Sequence, residues 1–280
     1  MVGAGHGEVM APEDLHGFPG VVHGGAVAAL FHRVTLPRPP FRLRLALPRG
    51  VPVATRLSLG TGSAGLEARL ALRQGDRLLA EASISRDPGP GPDPSSGAIP
   101  AGTSGAGVED ARPVPRTATC LACGPDNPLG AQVQLRVDPD RVFARYRTPP
   151  AYLGQHGRSH PALAFILLDE LGWWLGALHL REAGVTTELD VVFQEDLPAG
   201  PLQVVGDRRA VALDEDPRGR FVTARPAILS TGGDVLAFAT VRFAGSPAYT
   251  RRLLGPFLAR TPIEALREVF PHAGEGSTQT

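Results

Sequence analysis

A helix-start motif occurs twice in this chain, and the repetition constrains the fold more than any other feature. The first copy reads FPGVVHGGAVAALFHRV and the second HGRSHPALAFILLDELGWW. His23-Gly24-Gly25 opens a run of helix formers in one; His160-Pro161-Ala162 opens a longer run in the other. Nine residues beyond the histidine stands His32 in the first copy and Asp169 in the second. One copy keeps a glycine backbone where its helix begins, and the other keeps a carboxylate about two and a half turns in. Neither keeps both. Together they make one full set.

Between Arg86 and Arg116 the sequence is rich in Pro, Gly and Ser and has no apolar period, so it cannot bury a core. This divides the chain into a first unit (1–86), a linker (87–115), a second unit (116–246) and a helical tail (247–280). In the second unit, residues 131–149 alternate around a D-P-D turn and read as a hairpin. Residues 160–182 read as a helix with Ser159 as its cap, Pro161 in its first turn and Gly184 as its stop. That helix is apolar nearly all round, which predicts burial on most faces. Alternating strands follow each helix. GLEARLALRQGDRLLAEASIS and GRFVTARPAILSTGGDVLAFATVRF share one order: an alternating strand, a glycine turn, then a strand containing Leu-Ala. The pattern predicts a duplicated α+β unit, one helix on an antiparallel sheet. The first unit is expected to lack the strands before its helix, and the tail to hold one short helix at 262–270.

Composition removes several classes of function. Hydrophobic content of 42% and charged content of 20% are globular values. Formal net charge is zero and the pI about 7.1, which gives no electrostatic case for nucleic acid or an anionic membrane as partner. Every basic side chain is arginine, so Schiff-base lysine chemistry is excluded. Cys120 and Cys123, as C-L-A-C, are too few for a disulfide framework and lack a second such pair. Nearby histidines could complete a metal site in principle, but the segment CLACGPDNPLG reads as a turn-rich entry, and no metal and no cofactor are expected. The opening residues lack the basic region and apolar core of a signal peptide, so a cytoplasmic location is the expectation. The apolar stretch 161–180 carries Asp169-Glu170 at its centre, and each carboxylate would cost very roughly 3 kcal/mol in a bilayer. It reads as a buried helix, not a membrane span.

Three motifs carry a resemblance: F-P-G-V-V-H-G-G at 18–25, C-x-x-C-G-P-D-N-P-L-G at 120–130, and L-L-D-E at 167–170. With the strand pattern after each helix, the chain resembles the hotdog-fold acyl-CoA thioesterase superfamily, particularly its phenylacetate-pathway-like branch. The resemblance implies a double hotdog, two antiparallel sheets each wrapped around a central helix, with acyl-CoA bound between the units. It implies a site built from the backbone N–H after the histidine of one unit and a carboxylate on the partner unit's helix. Gly24 and Asp169 match those catalytic roles, His23 matches the histidine, and Gly25 and Asn127 match substrate-binding positions. The implied reaction is thioester hydrolysis to free acid and CoA, in a chain able to form homo-oligomers.

Elementary chemistry points the same way. A helix N-terminus offers unpaired N–H groups and a positive dipole end to a carbonyl gaining negative charge. Glycine lets a substrate approach that backbone closely. A carboxylate in an apolar helix can act as base or nucleophile. Pro161 has no N–H to give, and its counterpart is His32 in place of a carboxylate, so the second composite site is incomplete. Asp169 and Glu170 lie about 100° apart on the helix, so at most one is expected to face inward, and the resemblance favours Asp169. Trp173 and Trp174 read as core. Arg158, Arg218 and Arg220 are candidates for the CoA phosphates. Two other functions compete: non-catalytic acyl-CoA or lipid binding by decayed sites, and enoyl-CoA hydration or dehydration, whose His/Asp motif is not found here.

Overall fold

The alternating segments pair edge to edge into one antiparallel sheet of fourteen strands in this computed structural model, which describes residues 5–89 and 111–272. The first unit contributes, from the outer edge inward, Gly5–Met10, Arg56–Ala64, Glu67–Gln74, Arg77–Ser85 and Phe41–Ala46. The second unit continues with Gly184–Phe193, Val235–Gly245, Ala227–Leu229, Pro201–Asp207 and Arg141–Arg147. The two sheets expected from the sequence are therefore continuous, joined where Phe41–Ala46 pairs with Glu188–Phe193.

Period-two patterning fixes that junction. Phe41 lies opposite Phe193, Leu43 opposite Val191 and Leu45 opposite Leu189, and all six side chains are buried. The Phe41 and Phe193 rings stack at 4.6 Å, worth about 0.5–1.5 kcal/mol beyond their burial. On the opposite face Arg42 clamps Asp190 with two hydrogen bonds, of 2.7 and 2.5 Å. A one-residue slip would break both sets at once.

Two helices fill the concave side. Helix α1 spans Gly24–Thr35 and helix α2 spans Ala162–Leu180. They cross antiparallel: the start of α1 meets Phe165, Ile166 and Asp169 of α2, and His32 lies beside Phe165 and His160. Helix α2 is long and apolar enough to cross a membrane by length and composition, yet most of it is buried inside this fold. Enclosure by sheet and helix explains an apolar surface all round.

Several local expectations change. The first unit does have a strand before its helix: Gly5–Met10 pairs with Arg56–Thr61. It is a mostly exposed edge strand, so it lacks the alternation that marks a half-buried one. Ser159 does not cap α2; its hydroxyl bonds Thr148 and the Pro198 carbonyl, and His160 Nδ1 accepts from the Ala162 amide at 3.2 Å instead. The helix stops at Arg181, in the left-handed conformation, before Gly184 begins a strand. Ala111 and Val114, at the end of the expected linker, are buried against the second unit, flanking the short strand Arg112–Pro113; residues 90–110 lie outside the described residues. The tail holds two helices, α3 (Pro247–Leu258) and α4 (Ile263–Val269), which bring Phe257 and Phe270 onto Trp174.

Candidate active site

The two motif copies meet where α1 begins. His23 precedes α1, and its Nδ1 accepts from the Gly25 amide at 3.1 Å, as His160 does for Ala162. The Gly25 amide also donates to Asp169 Oδ2 at 2.8 Å. Thr186 donates to the other oxygen, Oδ1, at 2.7 Å, so both carboxylate oxygens are held. Thr186 sits beside an irregularity in the register between Thr186 and Glu188, which turns its side chain toward α2. That irregularity has no signature in the sequence.

Gly24 lies against the same carboxylate. A Cβ there would come within 2.7 Å of Asp169 Oδ2, and the Gly24 N–H has no protein acceptor among the described residues. Gly25 serves a different purpose from the substrate contact expected of it. A Cβ at Gly25 would strike the Phe165 carbonyl at 2.4 Å and Ile166 Cα at 2.7 Å. Its glycine permits the backbone of α1 to touch that of α2, and its amide is already committed to Asp169 and His23.

Asp169 and Glu170 both face this site, against the expectation that only one could. Helix α2 has no solvated face here, so a side chain 100° further round is buried as well. His23 lies between them, with Nδ1 at 3.1 Å from Asp169 Oδ2 and Nε2 at 3.5 Å from Glu170 Oε2. Burial pushes the imidazole pKa down, but the charges of Asp169, Glu170 and Cys120 outweigh it and raise the value to about 9. Trp174 Nε1 donates to Glu170 Oε1 at 3.1 Å. Cys120 and Cys123 come from the loop 117–130 of the second unit, both buried. Burial and the neighbouring Cys120 and Glu170 push the Cys123 thiol well above its ordinary range, with the Cys120 contact the largest cause.

Asn127 stands apart from this site and is corrected from ligand to structural residue. Its side-chain amide donates to the Asp14 and Thr119 carbonyls at 2.7 and 2.9 Å, and its oxygen accepts from the Leu129 amide at 2.9 Å. It fastens the loop to the first unit, leaving no N–H for a ligand.

A cavity of about 190 Å³ opens onto Gly24, Asp169 and Glu170. Phe18, Trp173, Val185 and Phe257 line its apolar walls. Trp173 and Trp174 are core residues, as expected, but their edges also form cavity wall. Phe257 and Tyr249 arrive from the tail, a contribution no motif announces. The arginine at the cavity is Arg49, whereas Arg158 is bound to Asp196 and neither Arg218 nor Arg220 reaches the lining.

At the other crossing of the helices, His32 is buried between Phe41 and Phe165, with ring centroids at 5.4 and 5.6 Å. Burial and the neighbouring His160 lower its pKa to about 4, and its Nε2 has no partner among the described residues. Among the described residues, the Asp169 and Gly24 counterparts there are His32 itself and Pro161.

No family model matches this sequence, and no curated protein matches it. Solved structures match its fold. One is a proposed thioesterase II from Thermobifida fusca, with TM-score 0.60 and 15% identity over 86% of this chain and 94% of that one. A protein of unknown function with the hotdog fold, from Alicyclobacillus acidocaldarius, gives 0.56 and 15% over 87% and 93%. The dehydratase domain of PpsC from Mycobacterium tuberculosis, in complex with C12:1-CoA, gives 0.55 and 17% over 87% and 93%. The chain has the α+β hotdog fold, duplicated within one polypeptide.

Proposed function

We propose that this protein is an acyl-CoA thioesterase with one working site per chain, formed between its two hotdog units. The observation that carries the reading is that Gly24, whose N–H has no acceptor among the described residues, lies against the Asp169 carboxylate at a largely apolar cavity. A thioester carbonyl placed on the Gly24 N–H is polarised by that donor and by the positive end of α1. Asp169 takes a proton from water as the water oxygen bonds to the acyl carbon, then returns it to the CoA sulfur as the carbon–sulfur bond breaks. Gly25, Thr186 and His23 hold the carboxylate in position. The helix crossing around His32 and Pro161 lacks both groups and does no chemistry.

A thiol-release screen over a panel of acyl-CoAs tests the activity, and titration with a non-hydrolysable acyl-CoA analogue tests the site count. The expected results are turnover with at least one acyl class and one ligand per chain. Tight binding without turnover would leave an acyl-CoA-binding protein instead. A second reading, hydration or dehydration of an acyl thioester, draws on the His23–Asp169 pair at 3.1 Å. It requires enoyl absorbance from a 3-hydroxyacyl-CoA without release of free thiol.

A further inference from the structure

We propose that His23, Cys120 and Glu170 bind one divalent cation of the zinc type, in the wall of the cavity that holds Gly24 and Asp169. One nitrogen, one sulfur and one oxygen from these residues lie within 4.8 Å of one another, and all three residues are buried. His23 Nε2 is 3.5 Å from Glu170 Oε2, and Cys120 Sγ is 3.9 Å from the same oxygen. Metal–ligand bonds of about 2.0–2.3 Å at tetrahedral angles put ligand atoms roughly 3.3–3.8 Å apart. The two Glu170 contacts are already near that spacing, and the three atoms, within 4.8 Å of one another, close on a cation by a shift of at most about an ångström.

The surroundings favour a cation. Two buried carboxylates share a single imidazole, and buried charge is ordinarily paired or bound to metal. With the ion on Nε2, Nδ1 carries the ring proton and gives it to Asp169 Oδ2, 3.1 Å away, in place of the contact it accepts from the Gly25 amide; a carboxylate behind the far nitrogen fixes a ligating ring. The other Glu170 oxygen accepts from Trp174, and the Ala122 amide points at Cys120 Sγ at 3.3 Å, so each ligand is held from behind. A ligating thiolate and a ligating Nε2 carry no proton, so binding weakens as pH falls.

A mixed thiolate, imidazole and carboxylate set suits Zn²⁺ and disfavours Mg²⁺ and Ca²⁺, which prefer oxygen alone. Three protein ligands leave a fourth position toward the cavity. Cys123 neighbours Cys120 and Glu170 but lies outside the three-residue group. The site departs from the sequence expectation, which sought a second C-x-x-C; the further ligands come from the start of α1 and the middle of α2. It stands independently of the hydrolase reading, because its test reads metal binding and not turnover.

The test titrates the full-length protein, freed of metal by chelator dialysis, with Co²⁺ as a spectroscopic probe and then with Zn²⁺. The expected result is one Co²⁺ per chain, with a thiolate-to-cobalt charge-transfer band that Zn²⁺ abolishes. Cys120→Ser removes the band. It also weakens binding by more than the about 10–100-fold typical of a lost outer-shell partner. Glu170→Gln weakens binding comparably while keeping the band, and decides the matter should Cys120→Ser fail to fold. Cys123→Ser keeps band and stoichiometry. The proposal is overturned by a wild type without the band, by unchanged affinity in Glu170→Gln, or by loss of the band in Cys123→Ser.

Discussion

The Gly25 amide, on the first unit's helix, donates to Asp169 Oδ2, on the second unit's helix, at 2.8 Å. One hydrogen bond thus ties the two halves together and aims the carboxylate. The bond is possible because Gly25 lets α1 lie directly on the Phe165–Ile166 backbone. Helix contact and carboxylate placement are therefore one structural feature, and adjacent glycines divide the work of preserving it.

The two glycines should respond differently to the same substitution. Alanine at Gly25 meets backbone at 2.4 and 2.7 Å, which cannot yield as a side chain can. Overpacking of that kind costs typically about 1–3 kcal/mol, or several degrees of melting temperature in a chain of this size. Alanine at Gly24 meets only the Asp169 carboxylate, at 2.7 Å, which swings aside. Gly24→Ala should therefore lose less melting temperature than Gly25→Ala, the loss coming from the loosened Gly25 and Thr186 bonds to Asp169, while turnover falls roughly a hundredfold through misplacement of the proposed base. Thermal melts and thiol-release rates on both variants check this. Equal losses of stability would contradict the division.

Asp169→Asn keeps the shape of the side chain and its acceptor for the Gly25 amide, but removes its basicity. Hydrolysis should fall by about a hundredfold or more, with acyl-CoA analogue affinity little changed. Steady-state kinetics and equilibrium binding on the same preparation separate the two effects. Wild-type turnover would move the role to Glu170, which faces the same site.

The duplicated motif made the helix pair and the Gly24–Asp169 meeting legible, because helix formers and a repeated histidine are local signals. Most strands were legible through their alternation. The edge strand Gly5–Met10 was not, since an exposed strand has no buried face to pattern. Asp169 and Glu170 were expected to exclude one another because a helical wheel assumes a solvated side, and α2 has none. Thr186, Phe257 and Tyr249 were missed for a different reason: a strand irregularity and a docked tail bring distant residues in. Asn127 shows the converse error, a recognisable motif whose polar groups are spent on its own loop.

Phe257 joins the tail to the cavity, touching Phe18, Trp173 and Trp174 with ring centroids at 6.2, 6.2 and 5.9 Å. Phe257→Ala should cost about 3–5 kcal/mol in stability, as for other buried aromatic truncations. It also enlarges the cavity beside Gly24 and Asp169, so under the proposed function acyl preference should shift toward bulkier or longer groups. Denaturant melts and the acyl-CoA panel check both halves. Destabilisation with an unchanged acyl profile would make Phe257 structural only.

His32 gives the chain an acid sensitivity, in the same direction as that of the neighbouring His160, whose pKa burial and Arg33 also lower. In the fold its pKa is lowered to about 4 by burial and by His160, against 6.5 for the free side chain. The unfolded chain therefore binds this proton more readily than the native one, and stability rises with pH across that window. Above pH 6.5 the contribution is fully present; as pH falls from 6.5 toward 4 up to about 3 kcal/mol is lost. His32→Phe keeps a ring between Phe41 and Phe165 and removes the titration. The variant should lose less melting temperature than wild type between pH 7 and pH 4.5, with the two curves diverging only below about pH 6.5. Parallel melting curves across that range would show that His32 protonates without resistance, and that the incomplete site at this end of the helix pair is open to water.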